Sequence, residues 1–146
     1  MEIVTGTFHT GFPIDEASRV GEVRRHATSL AHEIGLDETE TGRVALVVTE
    51  LATNLLRHAK QGRLLLAARP HRRDVEVIAY DRGPGIAEVD RCLADGYSTG
   101  GSPGTGLGAV RRLASDFDLH TASQGTIVVA RVRCAAVDLT DEAGLG

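Results

Sequence analysis

Three polar side chains recur every four residues in the middle of the chain: Glu50, Asn54 and His58. Residues four apart lie on one face of an α-helix, so these side chains would form a single polar stripe. Apolar residues flank the stripe: Val47, Val48, Leu51 and Leu55. A solvated helix face would explain Glu50 and His58, but asparagine is a poor helix former unless its amide makes a specific contact. The pattern therefore favours a polar site at the edge of the core.

A second candidate is the run Asp81-Arg82-Gly83-Pro84-Gly85, which begins at the last residue of the alternating segment DVEVIAYD (74–81). Aspartate followed by glycine and proline also occurs in ordinary turns. The functional alternative is a carboxylate at the mouth of a pocket, where it would accept a hydrogen bond from an amino group. The glycines would then let the backbone pass close beneath a ligand.

The third candidate is the glycine-rich run GTGLG at 104–108, which leads into a predicted helix. Free N–H groups and the positive end of the helix dipole make such a junction an anion site. A Walker A loop requires a lysine here, and the only lysine in the chain is Lys60. Gly104, Gly106 and Ala109 formally match the Rossmann fingerprint, but a long loop precedes them instead of the required strand.

The hydrophobic pattern predicts a mixed α/β domain that positions these three segments. A first helix is expected after an N-cap at Asp15 and ends at Gly35, and a second runs from Asp37 to about Ala59. Further helices are expected at 87–95 and 107–115. The expected strands are 2–10, 62–68, 74–81, 117–122 and 126–133, of which 62–68 and 74–81 would form an antiparallel hairpin.

Composition narrows the class of protein. The chain has 146 residues with 16 Lys+Arg against 20 Asp+Glu, a net charge of −4, and 3% aromatic residues. This balance argues against nucleic-acid binding. Cys92 and Cys134 form no CxxC pair, so free thiols are expected. The six histidines show no HxxxH or HExxH spacing for a metal. With neither a signal peptide nor a membrane span recognisable, we expect a cytoplasmic protein without a membrane partner.

Together and in this order, the segments resemble the nucleotide-binding module of the GHKL ATPases, which have the Bergerat, or histidine-kinase-like, ATPase fold. The resemblance spans about 15–133 and is closest to the bacterial anti-sigma factors and switch serine/threonine kinases of stressosome modules. It is carried by three runs: VVTELATNLLRHA (47–59), DRGPGI (81–86) and DGYSTGGSPGTGLGAVRRLASDFDL (95–119). The resemblance implies a two-layer α/β sandwich, with a mixed, mostly antiparallel sheet and helices on one face. Residues 1–134 would form the ATP-binding kinase domain and 135–146 a flexible tail or linker.

The resemblance also implies roles for individual residues in binding ATP and Mg²⁺. Glu50 would be the general base, Asn54 would hold Mg²⁺, and Asp81 would accept from the adenine amino group. The other residues expected to contact the nucleotide are Arg57, His58, Gly83, Gly85, Ile86, Ser98, Thr99, Gly104, Thr105, Gly106, Leu107, Gly108 and Thr126. Residues 96–103 would form a lid.

Two activities remain open at this point. The first is an ATP-dependent serine/threonine kinase that phosphorylates a STAS-domain antagonist in a partner-switching pathway. The second is a nucleotide-dependent anti-sigma factor, or a regulatory ATP-binding module, that acts mainly by sequestering a partner. A sigma factor and a phosphatase are further partners that the resemblance suggests. The chain contains no phosphoacceptor-histidine hairpin, which argues against histidine autokinase activity.

Overall fold

A computed structural model describes residues 8–59, 61–83 and 106–135. The helices of this part of the chain are α1 (Ser18–Glu33), α2 (Glu38–His58) and α3 (Gly106–Leu113). Its strands are β1 (Thr10–Pro13), β2 (Arg63–Arg69), β3 (Asp74–Asp81), β4 (Asp116–Ala122) and β5 (Gly125–Arg133). Strands β2 to β5 agree with the predicted segments to within one residue, and β2 and β3 form the expected antiparallel hairpin.

The five described strands form one sheet in the order β1-β2-β3-β5-β4, and every neighbouring pair is antiparallel. Because side chains alternate along a strand, one face of the sheet is apolar and packs under the helices. Its buried residues include Leu64, Leu66, Val75, Val77, Val128 and Val132. Helix α2 packs against both α1 and α3 above this face. The two-layer α/β architecture implied by the resemblance is confirmed.

Helix α2 begins with a reciprocal capping box. The Asp37 carboxylate accepts from the Glu40 backbone N–H at 2.7 Å, and Glu40 Oε1 accepts from the Asp37 N–H at 2.8 Å. Two otherwise unpaired donors are thereby satisfied. The second oxygen of Glu40 accepts from the Ala135 N–H at 2.6 Å, just after β5 ends. One buried carboxylate therefore joins the start of α2 to the end of the sheet.

Helix α1 departs from the prediction at its N-terminus. The helix begins at Ser18 after Ala17, and no side chain caps it. Asp15 makes no capping hydrogen bond to the first turn, and its carboxylate pairs instead with Arg19 at 3.3 Å. The prediction of Asp15 as the N-cap was wrong. The other end agrees with the sequence, because Gly35 adopts φ +81° and ends the helix there.

Strand β1 also differs from the predicted segment, of which residues 2–7 lie outside the described part. The described strand covers Thr10–Pro13, so it continues through Gly11 and Pro13, beyond residue 10 where the predicted segment ends. Gly11 pairs with Leu65 and Pro13 with Arg63. Proline is tolerated here because β1 is the edge of the sheet and Pro13 is its last residue.

The face of the sheet opposite the helices carries an ion-pair network around Glu76. Its carboxylate accepts from His9 Nε2 and from Arg131 Nε, both at 2.7 Å, and lies 3.6 Å from Arg69. Arg69 also makes two hydrogen bonds to the fully buried Asp74. Burial by itself raises the pKa of Glu76, but hydrogen bonds from His9 and Arg131 outweigh it and leave this pKa below its ordinary value.

Several predictions fall outside the described residues: the helix at 87–95, the lid at 96–103, Cys92 and the tail beyond Ala135. Cys134 is a buried free thiol. Among residues 8–59, 61–83 and 106–135, no helix combines the length and apolar character that a bilayer span requires.

Candidate nucleotide site

A cavity of about 90 Å³ lies where the C-terminal half of α2 meets the ends of β3, β5 and the start of α3. Five residues singled out in the sequence line it: Asn54, His58, Asp81, Leu107 and Thr126. The rest of its wall is apolar and consists of Leu51, Leu55, Ala59, Ala79 and Val128. An apolar slot with a few convergent polar groups is the usual form of a small-molecule site. Residues from four separate elements thus meet in one place.

Asp81 is the last residue of β3, and a short turn fixes its carboxylate. The Gly83 N–H donates to Asp81 Oδ1 at 2.6 Å. A β-carbon at Gly83 would lie 2.9 Å from that same oxygen, which explains why glycine occupies this position. Since one hydrogen bond engages Oδ1, the remaining acceptor capacity of the carboxylate is available to a ligand donor in the cavity. An exocyclic amino group would satisfy it.

Strand β5 approaches Asp81 from the other side. Thr126 pairs with Asp81 across the two strands and is buried, and its hydroxyl lies 2.9 Å from the Thr121 hydroxyl. At the preceding residue, Gly125, a β-carbon would come within 2.2 Å of the Asp81 carbonyl oxygen. The resemblance drew attention to Thr126, but the sequence alone did not reveal this close approach of two backbones at Gly125.

Glu50 lies one helical turn before Asn54, at the junction of α2 and α3. It does not line the 90 Å³ cavity, but Gly106 packs directly against it. A β-carbon at Gly106 would stand 3.0 Å from both the backbone oxygen and Oε2 of Glu50. The first helical residue of α3 is therefore held against the carboxylate proposed to be catalytic.

The N-terminus of α3 has the features of an anion site. Its first residues, Gly106, Leu107 and Gly108, are buried, and its first turn contains no acidic side chain. Its backbone N–H groups and dipole would favour a negatively charged ligand group. Leu107 lines the cavity, so this helix end adjoins the slot that contains Asp81.

Other predicted site residues have different positions. Arg57 is exposed and does not line the cavity, whereas His58 is exposed at its rim. The remaining predicted residues lie outside the described part of the chain: Gly85, Ile86, Ser98, Thr99, Gly104 and Thr105. Their contacts with a nucleotide stay predictions.

The oxygen ligands that this cavity offers would suit Mg²⁺ only if a bound anion supplied further oxygens to the cation. Within the described ranges, no three His, Cys, Asp or Glu side chains cluster as metal ligands. Asn54 offers a neutral amide oxygen in the cavity wall. Mg²⁺ is commonly held by one or two protein oxygens, several waters and substrate phosphates. Asn54 satisfies that requirement, provided that a nucleotide supplies the phosphate oxygens.

Comparison with known proteins shows which sequences this chain resembles. The family model described as "Histidine kinase-like ATPase domain" matches residues 12–132. The serine/threonine-protein kinase RsbT of Bacillus subtilis (strain 168) is 33% identical over 110 residues, which cover 73% of this chain and 83% of RsbT. The alignment therefore covers most of this chain and most of RsbT.

Solved structures share the fold at low sequence identity. One contains the RsbU and RsbW domains of Rv1364c from Mycobacterium tuberculosis, with a TM-score of 0.61 and 17% identity. The match covers 88% of this chain and 32% of that longer one. Another is the histidine kinase AdeS of Acinetobacter baumannii, with a TM-score of 0.52 and 16% identity. That match covers 89% of this chain and 69% of AdeS. These likenesses show the fold.

Proposed function

We propose, from the premise that this chain belongs to the family of histidine kinase-like ATPase domains, that it is an ATP-dependent serine/threonine kinase acting on a STAS-domain protein. The observation that carries the nucleotide part is the convergence of Asn54, Asp81 and Thr126 in one cavity beside the start of α3. The similarity to the kinase RsbT supports phosphotransfer to a hydroxyl group. The pathway would be partner switching, with a sigma factor or a phosphatase among the further partners.

In the proposed site, Asp81 selects adenine. Its carboxylate accepts from the adenine amino group, whereas guanine would present a carbonyl oxygen at the same position and repel it. Gly83 keeps the backbone close beneath the base, because a side chain there would meet the Asp81 carboxylate. Thr126 adds a hydroxyl on the β5 side of the cavity.

The phosphates would extend from the cavity towards α3. There, the N–H groups at the start of the helix would stabilise their negative charge without a lysine. Mg²⁺ held by Asn54 would neutralise further phosphate charge and fix the orientation of the terminal phosphoryl group. Positioning and charge stabilisation of this kind account for most of the catalysis in phosphoryl transfer.

Glu50 is proposed to act as the general base. It would accept the proton from a serine or threonine hydroxyl as that oxygen bonds to the terminal phosphorus and ADP leaves. Its contact with Gly106 joins the base to the helix that would bind the phosphates. In this proposal, both reacting partners would meet at the junction of α2 and α3.

The test is transfer of labelled phosphate from Mg²⁺-ATP to STAS-domain proteins of the same organism. We expect wild type to phosphorylate one of them. Glu50→Gln should lose this activity by about a hundredfold or more while retaining nucleotide binding, since a general base contributes on that scale. Glu38→Gln is the matched control, because Glu38 is exposed in the first turn of the same helix. If wild type transfers no phosphate, and both wild type and Glu50→Gln bind a sigma factor tightly, the sequestering activity would be favoured instead.

The contribution of Mg²⁺ is tested separately by calorimetry. Asn54→Ala should bind ATP with nearly the same affinity in the presence and absence of Mg²⁺, because the protein ligand to the cation is gone. Wild type should bind ATP more tightly with Mg²⁺ than without it. An unchanged Mg²⁺ effect in Asn54→Ala would remove Asn54 from the proposed cation site.

A further inference from the structure

A second, larger depression lies beside the nucleotide cavity and is separate from it. We call it the arginine groove; its volume is about 650 Å³, and its wall includes Ile14, Leu56, Gln61, Arg63, Tyr80 and Arg82. The two depressions share Leu55 and Ala59 at the end of α2. The two depressions are separated at the end of β3, where successive side chains point to opposite faces of the sheet. Asp81 lines the cavity, whereas its neighbours Tyr80 and Arg82 line the groove.

The groove has a defined construction. Pro13, Arg63 and Tyr80 pair in one row across β1, β2 and β3. Between α2 and β2 the chain turns through Gln61, which adopts φ +53°. Gly62 then packs tightly on α2, since a β-carbon there would lie 3.1 Å from Leu55. The groove is thus formed by strand pairing and a tight turn.

The charges in the groove are not balanced. Both Arg63 and Arg82 are exposed, and among the described residues neither makes an ion pair or hydrogen bond with an acidic group. Asp15, the acidic residue of the described groove wall, is paired with Arg19. Elsewhere on the sheet, arginines have carboxylate partners: Arg69 with Asp74, Arg131 with Glu76 and Arg133 with Asp116. Two uncompensated guanidinium groups therefore lie in one depression of a chain with net charge −4.

The apolar part of the groove indicates the kind of ligand. Its wall also contains Ile14, Leu55, Leu56, Ala59 and Tyr80. Guanidinium groups bind carboxylates through paired, charge-assisted hydrogen bonds. Apolar residues beside aromatic and arginine side chains are typical of the centre of a protein–protein interface. A peptide segment with both acidic and apolar side chains matches this combination.

We propose that the arginine groove binds an acidic segment of a protein partner, with carboxylates paired to Arg63 and Arg82 and apolar side chains against α2. The proposal does not depend on phosphotransfer, because none of the proposed catalytic or nucleotide-contacting side chains lines this groove. Partner binding and nucleotide binding would occupy adjacent depressions that share one helix end.

The probe is a labelled six-residue peptide of alternating glutamate and leucine, compared with the same peptide carrying glutamine for glutamate. Binding to the full chain is followed by fluorescence anisotropy. We expect the acidic peptide to bind at least tenfold more tightly than the glutamine peptide. Arg63→Glu and Arg82→Glu should each weaken it by about tenfold or more, as loss of a charge-assisted contact implies.

Arg72→Glu is the matched control, because Arg72 is exposed in the turn at the opposite end of the β2–β3 hairpin. Its effect should stay within about twofold, whereas attraction to overall positive charge would weaken binding equally in all three variants. Arg63→Glu should keep the wild-type affinity for ATP and the wild-type unfolding midpoint, which shows that the variant is folded. Equal losses in Arg72→Glu and Arg63→Glu, or equal binding of the two peptides, would overturn the proposal.

The chain's own residues 136–146 include Asp138, Asp141 and Glu142 and are a competing occupant. They follow Ala135, which is bonded to Glu40 at the start of α2, whereas the groove lies at the other end of this helix, about 30 Å away. Deletion of 136–146 should leave peptide affinity unchanged. A marked gain in affinity on deletion would assign the groove to the tail and contradict the proposed partner.

Discussion

A β-carbon at Gly125 would lie 2.2 Å from the backbone carbonyl oxygen of Asp81. Strands β5 and β3 therefore approach each other at a separation that only glycine permits, directly beside the carboxylate proposed to read adenine. The neighbouring Thr126 reaches the cavity from the same strand end. The position of Asp81 thus depends on Gly125, which packs against its backbone, and on the turn in which the Gly83 N–H donates to its carboxylate.

Gly125→Ala should displace the backbone at Asp81, because the atoms in conflict are main-chain atoms that cannot rotate away. We expect a loss of unfolding free energy of about 1–3 kcal/mol, measured by urea denaturation, and weaker ATP binding. Gly42→Ala is the control: Gly42 is exposed within α2, and a β-carbon there would meet no atom within 4 Å. It should stabilise the protein by about 0.5–1 kcal/mol. Wild-type stability and affinity in Gly125→Ala would contradict this account of the strand contact.

Gly106→Ala tests the contact between α3 and the proposed base. The added methyl group would press on Glu50, whose side chain can rotate but whose backbone oxygen cannot. We expect phosphotransfer to fall by about ten- to a hundredfold, because a small displacement of a reacting group is costly. The same assay with Gly42→Ala should give the wild-type rate. A normal rate in Gly106→Ala would mean that this contact does not position Glu50.

Glu40→Gln tests the carboxylate that joins α2 to the end of β5. Glutamine can accept from only one of the two N–H groups, and its amide would face the other as a second donor. An unfolding free energy lower by about 1–3 kcal/mol is expected, measured by urea denaturation. Glu38→Gln, in the exposed part of the same helical turn, should change it little. Equal effects of the two substitutions would show that the bond to Ala135 contributes nothing.

Glu76 predicts how stability depends on pH. Its pKa in the folded state is lowered, so ionised Glu76 stabilises the fold above the ordinary value of 4.5. This contribution is lost as the pH falls from about 4.5 through the folded-state pKa, because the carboxylate then becomes protonated. Urea denaturation between pH 6 and about pH 3 should show a smaller acid-induced loss in Glu76→Gln than in wild type. The exposed Glu33→Gln variant should follow the wild-type curve. An unchanged pH dependence in Glu76→Gln would exclude this role.

Helix α2 and the β2–β3 hairpin could be predicted from the sequence, because neighbouring residues determine where these elements begin and end. Helix α2 has a capping box, regular apolar spacing and a clear end, and the β2–β3 hairpin has alternating residues around a turn. The start of α1 was mispredicted because Asp15 is a good capping residue by type, yet its carboxylate pairs with Arg19. Propensity alone does not decide between two partners for one side chain.

The candidate site likewise contains residues that the sequence pattern could predict and residues that it could not. The spacing of Asn54 and His58 indicated one helix face, and both residues line the cavity. Thr126 could be assigned only through resemblance, because strand order decides which distant residue lies opposite Asp81. The arginine groove had no sequence signature, since Arg63 and Arg82 are brought together by pairing of β2 with β3 and by the turn after α2.

The most direct test of the central claim, that the cavity beside Asp81 binds adenine, is calorimetric titration of Mg²⁺-ATP and Mg²⁺-GTP into wild type and Asp81→Asn. The substitution keeps an oxygen that can accept from the Gly83 N–H but replaces the acceptor for adenine with a donor. The account predicts that wild type binds ATP and rejects GTP, and that Asp81→Asn weakens ATP binding by about tenfold or more. Absence of ATP binding to wild type at millimolar nucleotide, or equal affinity in Asp81→Asn, would contradict it.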